Sequence, residues 1–172
     1  MTNETAAFAA LMNRAAAILA RREHSRFELR QKLLRPRKAV TAPPSEALTD
    51  AVLDRLEELD LLNDVRFAAL LAAELGQRKG LGRAGILQEL RHRGVDAALL
   101  ATLPLPEEDA AQLTRLLHEK YAAKCADERG RRSVYQALLR RGFRHRDIQA
   151  AMRTALEDFA PENCAFNPTY TE

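Results

Sequence analysis

The 172-residue chain has only two cysteines, Cys125 and Cys164. They lie far apart, with no CxxC spacing and no histidine at ligand distance. That excludes a disulfide framework and a structural zinc site and points to two ordinary thiols in a cytoplasmic protein. β-Branched residues are scarce, and no run alternates apolar with polar residues as a half-buried strand must. The apolar N-terminal stretch AAFAALMNRAAAILARRE is broken by Arg14, lacks a basic segment ahead of it and keeps a helical period. It reads as neither a signal peptide nor a membrane span. The signatures of chemistry are missing too. There is no P-loop, no GxGxxG, no HExxH and no nucleophile elbow. RKGLGRAG has glycines but no GK[ST] and no preceding strand. His24, His92, His118 and His145 fall in four separate segments, none with a carboxylate or cysteine at a matching interval. Neither an enzyme nor a cofactor or metal protein is expected.

What remains is helical. Ala, Leu, Arg and Glu dominate, and apolar residues recur at spacings of three and four. Such stripes are Phe8, Leu11, Ala15, Ile18 and Leu19; Val52, Leu56 and Leu59; Phe67, Leu71 and Leu75; Ile86 and Leu90; Leu113, Leu116, Leu117 and Tyr121; Val134 and Leu138; and Ile148, Met152, Leu156 and Phe159. Ser25 followed by Glu28 is a capping box. Ser45 and the pair Asn63-Asp64 mark further helix starts, RKGLGRAG is a loop, and PLPEEDA ends one helix and begins another. Gly94 and Gly142 stand where helices end in a left-handed residue. The fold class is all-α.

Three segments superimpose: SRFELRQKLLR from Ser25, GRAGILQELRHRGV from Gly82 and GRRSVYQALLRRGF from Gly130. Arg26, Arg83 and Arg131 align. So do Leu29/Leu33, Ile86/Leu90 and Val134/Leu138, which with Phe143 are expected in the core. Units of this length accommodate three short helices, each unit burying its stripe as a three-helix bundle. The expected organisation is an N-terminal helix (1–22), three repeats (23–78, 79–127 and 128–160) and a C-terminal tail (161–172). Stacked in tandem, the repeats would form an elongated, curved array.

Charge follows the repeats. The net formal charge is +3, yet Met1–Val40 carries nine basic against three acidic residues and Glu128–Arg146 seven against one. Thr41–Arg78 between them carries three basic and eight acidic residues. Only five of the 27 basic residues are lysine; arginine presents a fork of donors suited to phosphate, and the compositional bias of a GC-rich coding sequence is the alternative source of the excess. Arg26, Arg83 and Arg131 stand at helix starts, where the dipole disfavours a cation by up to about 1 kcal/mol. An unfavourable residue repeated three times implies a use. On charge, the candidate phosphate-facing residues are Arg26, Arg30, Lys32, Arg83, Arg91, Arg93, Arg131, Arg132, Arg140, Arg141 and Arg144. The acidic group Asp50, Asp54, Glu57, Glu58 and Asp60 is expected to be solvated, with a basic partner surface as the alternative.

LARREHSRFELRQKL, LDLLNDVRFAALLAAE, GLGRAGILQELRHRGV and LLRRGFRHRDIQAAM, taken together, resemble the RecX family of bacterial regulatory proteins, over about Ala15 to Leu156. The resemblance implies three tandem three-helix repeats in a cytoplasmic, monomeric modulator of the RecA recombinase. Such a protein binds in the groove of the RecA–DNA filament and limits its extension, its ATP hydrolysis and strand exchange, and SOS signalling. Partners would be the RecA filament, single-stranded DNA and, through weak electrostatic contacts, duplex DNA, with no membrane and no cofactor. The alternatives are a general nucleic-acid-binding helical protein or helix-turn-helix regulator, and a helical adaptor that binds protein alone.

Overall fold

The computed structural model describes residues 3–36, 43–105 and 110–159. Those residues form nine α-helices and no strand: α1 (Asn3–Leu19), α2 (Arg26–Leu34), α3 (Glu46–Glu58), α4 (Asp64–Glu74), α5 (Arg83–His92), α6 (Ala97–Thr102), α7 (Ala110–Leu116), α8 (Glu128–Arg140) and α9 (His145–Phe159). The all-α expectation holds. The three superimposed segments become α2, α5 and α8. Residues 106–109, within the expected PLPEEDA break, and the expected tail lie outside the described residues.

The helix starts follow local chemistry. Ser25, Ser45 and Asn63 accept from the backbone N–H groups of Glu28, Leu48 and Arg66 at 3.1, 3.2 and 3.0 Å. Each thereby satisfies one of the donors that a helix leaves unpaired at its first turn. Asp96 and Asp127 cap α6 and α8 in the same way. At the other end, α5 and α8 close alike. Gly94 (φ 76°) and Gly142 (φ 84°) turn the chain left-handed, and the next residues, Val95 and Phe143, donate back to the carbonyls of Leu90 and Leu138. Val95 and Phe143 are buried with the leucines they reach, which is the apolar contact that accompanies this type of helix end.

By packing, the chain divides into two units: residues 1–75 with 87–105, and residues 76–86 with 106–172. In the first, α1, α2 and α3 close on Leu11, Ala15, Leu29, Leu33, Val52, Leu53, Leu56 and Leu62. In the second, Leu113, Leu116, Leu117, Val134, Leu138, Phe143 and Ile148 form the core, together with the free thiol of Cys125. Every residue expected in the core on the repeat alignment is buried. Leu59, the last of the stripe on α3, is 44% exposed. The helix stops at Glu58, so Leu59 no longer follows the helical period, and Leu53 and Leu62 fill the core instead.

Two helices run into a wider turn. α4 continues as a π-helical turn over Leu75–Lys79, and α7 does so over Leu117–Tyr121. The expected RKGLGRAG loop is therefore shorter than the sequence implies: its first residues belong to a π turn and its last to α5.

Candidate nucleic-acid interface

In the first unit the arginines of α2 face the acids of α3. Arg26 donates to Glu57 and to Asp54, both at 2.7 Å. Arg30 donates from Nε to Asp50 at 2.7 Å and from Nη2 to Glu46 at 2.9 Å. The hydrogen bond from Arg30 holds the Asp50 carboxyl below its usual range. The Arg26 backbone N–H donates to Asp64 at 2.7 Å. Two carboxylates thus offset the Arg26 cation at the start of α2 and two more offset Arg30, so the charge of the acidic stretch is met within the protein. The remaining acids of that stretch also pair, Glu58 with Arg55 and Asp60 with Arg66.

Arg93 closes a longer link. Its Nη1 donates to Glu28 at 2.8 Å and its Nε to Glu89 at 3.1 Å. Its carbonyl accepts from the fully buried Ser25 hydroxyl at 2.5 Å. Burial disfavours the charged form of Glu28, but hydrogen bonds from Arg22 and Arg93 outweigh it and hold the carboxyl below its usual range. The capping box is therefore half formed. Ser25 caps α2, while the Glu28 side chain binds two guanidinium groups instead of the backbone.

In the second unit one turn gathers cations. The N-terminus of α5 docks on the end of α8: Gly82 donates to the Arg141 carbonyl at 2.9 Å and Ala84 to the Gly142 carbonyl at 3.2 Å. This brings the backbone of Arg83 beside Arg140, Arg141 and Arg144. Arg140 and Arg144 are exposed and make no side-chain hydrogen bond or ion pair with a described residue. Arg141 lies over the Tyr121 ring, 5.8 Å from its centroid, with Nη1 buried and unpaired. Such a cation–π contact fixes the group without neutralising it. Arg83 has a partner within the protein. Arg131 donates to the Cys125 carbonyl at 3.3 Å, and Arg132 pairs with Glu128. Arg91, on α5, is exposed with no side-chain partner among the described residues.

Lys32 has a different setting. His24 is 2% exposed. Its Nδ1 lies 2.9 Å from the Arg22 carbonyl, so that nitrogen carries the hydrogen, and Nε2 accepts from Lys32 Nζ at 2.6 Å. Burial, above all, lowers the His24 pKa from its ordinary 6.5; repulsion by Arg22 and Lys32 adds to this, against the backbone hydrogen bond to Arg22 and the charge of Glu28. A depressed folded-state pKa means that the unfolded chain binds the proton more readily. The contribution of neutral His24 to stability is complete above 6.5 and is lost as pH falls through the folded value. Urea unfolding of the wild type should show a stability loss between about pH 7 and pH 5.5 that the His24→Gln variant lacks. Equal slopes in the two proteins would exclude His24 as the source.

Among the described residues no group of three or more His, Cys, Asp and Glu side chains is placed to hold a metal ion, and no helix is long and apolar enough to cross a membrane. Residues 63–102, which take in α4, α5 and α6, match the family described as RecX, second three-helix domain. A regulatory protein RecX of Herminiimonas arsenicoxydans is 35% identical over 150 residues, 86% of this chain and 94% of that one. A regulatory protein RecX of Halorhodospira halophila is 37% identical over 161 residues, 92% and 96% of the two chains. The crystal structure of RecX from Lactobacillus salivarius superimposes with a TM-score of 0.72, at 19% identity, over 87% of this chain and 97% of that one; this likeness establishes the helical-repeat fold. With curated relatives matched along nearly their whole length, the chain belongs to the RecX family of regulatory proteins.

Proposed function

We propose that the protein is a non-enzymatic negative modulator of the RecA recombinase. It binds the RecA–DNA filament in its groove and limits filament extension, ATP hydrolysis and strand exchange. Membership of the RecX family along almost the whole chain carries the reading. The exposed arginines around the α8–α9 turn support it, since guanidinium groups with no acid partner among the described residues suit a phosphate backbone. Arg91 and Lys32, in the first unit, are assigned the same role. Arg26, Arg30 and Arg93 are also assigned to it, exchanging an internal carboxylate for phosphate on binding. Arg83, Arg131, Arg132 and Arg141 complete the assignment. The protein acts as a monomer in the cytoplasm, with single-stranded DNA as the main nucleic-acid contact and duplex DNA bound weakly.

The test is ATP turnover by a recombinase assembled on single-stranded DNA. Inhibition is expected at well below one protein per recombinase subunit, as capping of extension requires. A need for stoichiometric excess would remove the capping mechanism. Tight, sequence-selective binding to naked duplex that persists at high salt would replace the filament reading by that of a DNA-binding regulator, because contacts dominated by phosphate weaken steeply with salt.

A further inference from the structure

Between the end of α1 and α2, within the first unit, Arg14, Arg21, Arg22 and Lys32 line a cavity of about 590 Å³ together with Ile18 and His24. Among the described residues no carboxylate lines it. The walls are held in place. Arg14 donates to the carbonyls of Lys32 and Leu33 at 2.8 and 3.0 Å, capping the end of α2. The Lys32 ammonium is tied to a neutral imidazole, which orients it and supplies no countercharge. Arg22 has one carboxylate partner, Glu28, which Arg93 shares. The Arg21 side chain is exposed and has no partner among the described residues. Along the same helix, Arg26 and Arg30 each face two acids. Positive charge is compensated there and left over here. Burial first, then repulsion by Arg22, Arg35 and Arg21 against the attraction of Glu28, pushes the Lys32 ammonium below its ordinary pKa.

We propose that this cavity binds a phosphate group, supplied by a polynucleotide strand or by a free phosphate ligand. The basic residues that line it come from α1, the α1–α2 turn and α2. A tetrahedral anion offers oxygens in each of those directions, whereas a planar carboxylate is satisfied by one guanidinium fork. Ile18 gives the wall against which a sugar rests. The site stands on these contacts whether or not the partner is a recombinase.

The experiment uses the full chain. A fluorescein-labelled oligothymidylate is titrated by anisotropy at several salt concentrations, and inorganic phosphate is tested for its effect on the melting temperature. The variant pair is R21Q with K32Q. The control, R129Q with R153Q, removes the same charge from exposed positions of the second unit. If the source is a strand, the cavity pair weakens oligonucleotide binding about tenfold and lowers the salt slope by roughly 0.7, one phosphate's worth, while the control changes binding less than twofold. If the source is a free ligand, phosphate raises the melting temperature of the wild type and the control but not of the cavity pair. Because K32Q also loosens His24, R21Q alone is measured as well and should move the same readout in the same direction without lowering the melting temperature. Equal weakening by the two pairs, with no phosphate effect that distinguishes them, would overturn the site. Recombinase inhibition by the wild type is read separately, so its failure is not confused with that of the cavity.

Discussion

Replacing Gly142 by alanine is expected to unfold the second unit in conditions where the wild type is stable. Two costs combine. At φ 84° a residue with a Cβ stores about 1–3 kcal/mol of backbone strain. The added carbon would also overlap the backbone nitrogen of Gly85 and, at 2.6 Å, its Cα. Backbone cannot swing aside as a long side chain does. The α5 terminus must lift off, losing the bonds from Gly82 to Arg141 and from Ala84 to Gly142. The amide of the buried Gly82, left unpaired, costs about 1–3 kcal/mol. The sum, on the order of 4 kcal/mol or more, is a large share of the stability of a small domain. Urea unfolding followed by far-ultraviolet circular dichroism measures it. Gly76→Ala is the control. A Cβ there meets only Ile86 at 3.6 Å and Gln112 at 4.0 Å, ordinary contacts at an ordinary backbone angle. It should be neutral or stabilising by up to about 1 kcal/mol, since alanine restricts the unfolded chain. Similar losses at the two positions would show that the close approach of α5 to the α8–α9 turn is not what Gly142 serves.

Local chemistry made the helices readable. Ser25, Ser45 and Asn63 cap because a short polar side chain meets its own first turn, a matter settled within four residues. Gly94 and Gly142 end helices because the chain must turn left-handed there, and the apolar residue after each marks the contact that completes the turn. The π turns after α4 and α7 left no such mark. A helix widened by one residue keeps the same composition, and only packing shows where its period shifts.

The electrostatics were less readable, because a guanidinium finds its partner through space. The repetition of Arg26, Arg83 and Arg131 pointed to a shared outward role. In the structure Arg26 is met by Asp54 and Glu57, Arg131 by the carbonyls that precede α8, and Arg83 also has an internal partner. The dipole disfavours a cation at Arg26, and the acids of α3 offset it. The acidic segment that looked solvated holds the countercharge. Likewise, the sequence marks Arg14 only as a break in an apolar stretch and gives Arg21 and Arg22 no place among the candidate contacts. Their signal is the pairing of Lys32, on α2, with His24, which precedes that helix by two residues.

Reversing Arg140 and Arg144 to glutamate is expected to abolish filament inhibition at concentrations where the wild type is fully active. Both side chains are exposed, have no partner among the described residues and flank one turn, so their removal breaks no contact seen among those residues. Glutamate at 140 sits at the end of α8, where the dipole disfavours it. At 144, just before the first residue of α9, the dipole favours it by a similar amount, about 0.3–1 kcal/mol each. Net stability should hardly change. A charge-assisted hydrogen bond contributes about 1.5–3 kcal/mol, so losing two weakens binding roughly a hundredfold, at 1.4 kcal/mol per factor of ten, before repulsion is added. Arg26→Gln supplies the contrast. It strands Asp54 and Glu57 beside α2, so it should lower the stability of the first unit and weaken filament binding less than the reversal does. The measurements are ATP turnover on single-stranded DNA and urea unfolding of each variant. If the double reversal left inhibition intact while Arg26→Gln removed it in a folded protein, the interface would lie on α2 and away from the α8–α9 turn.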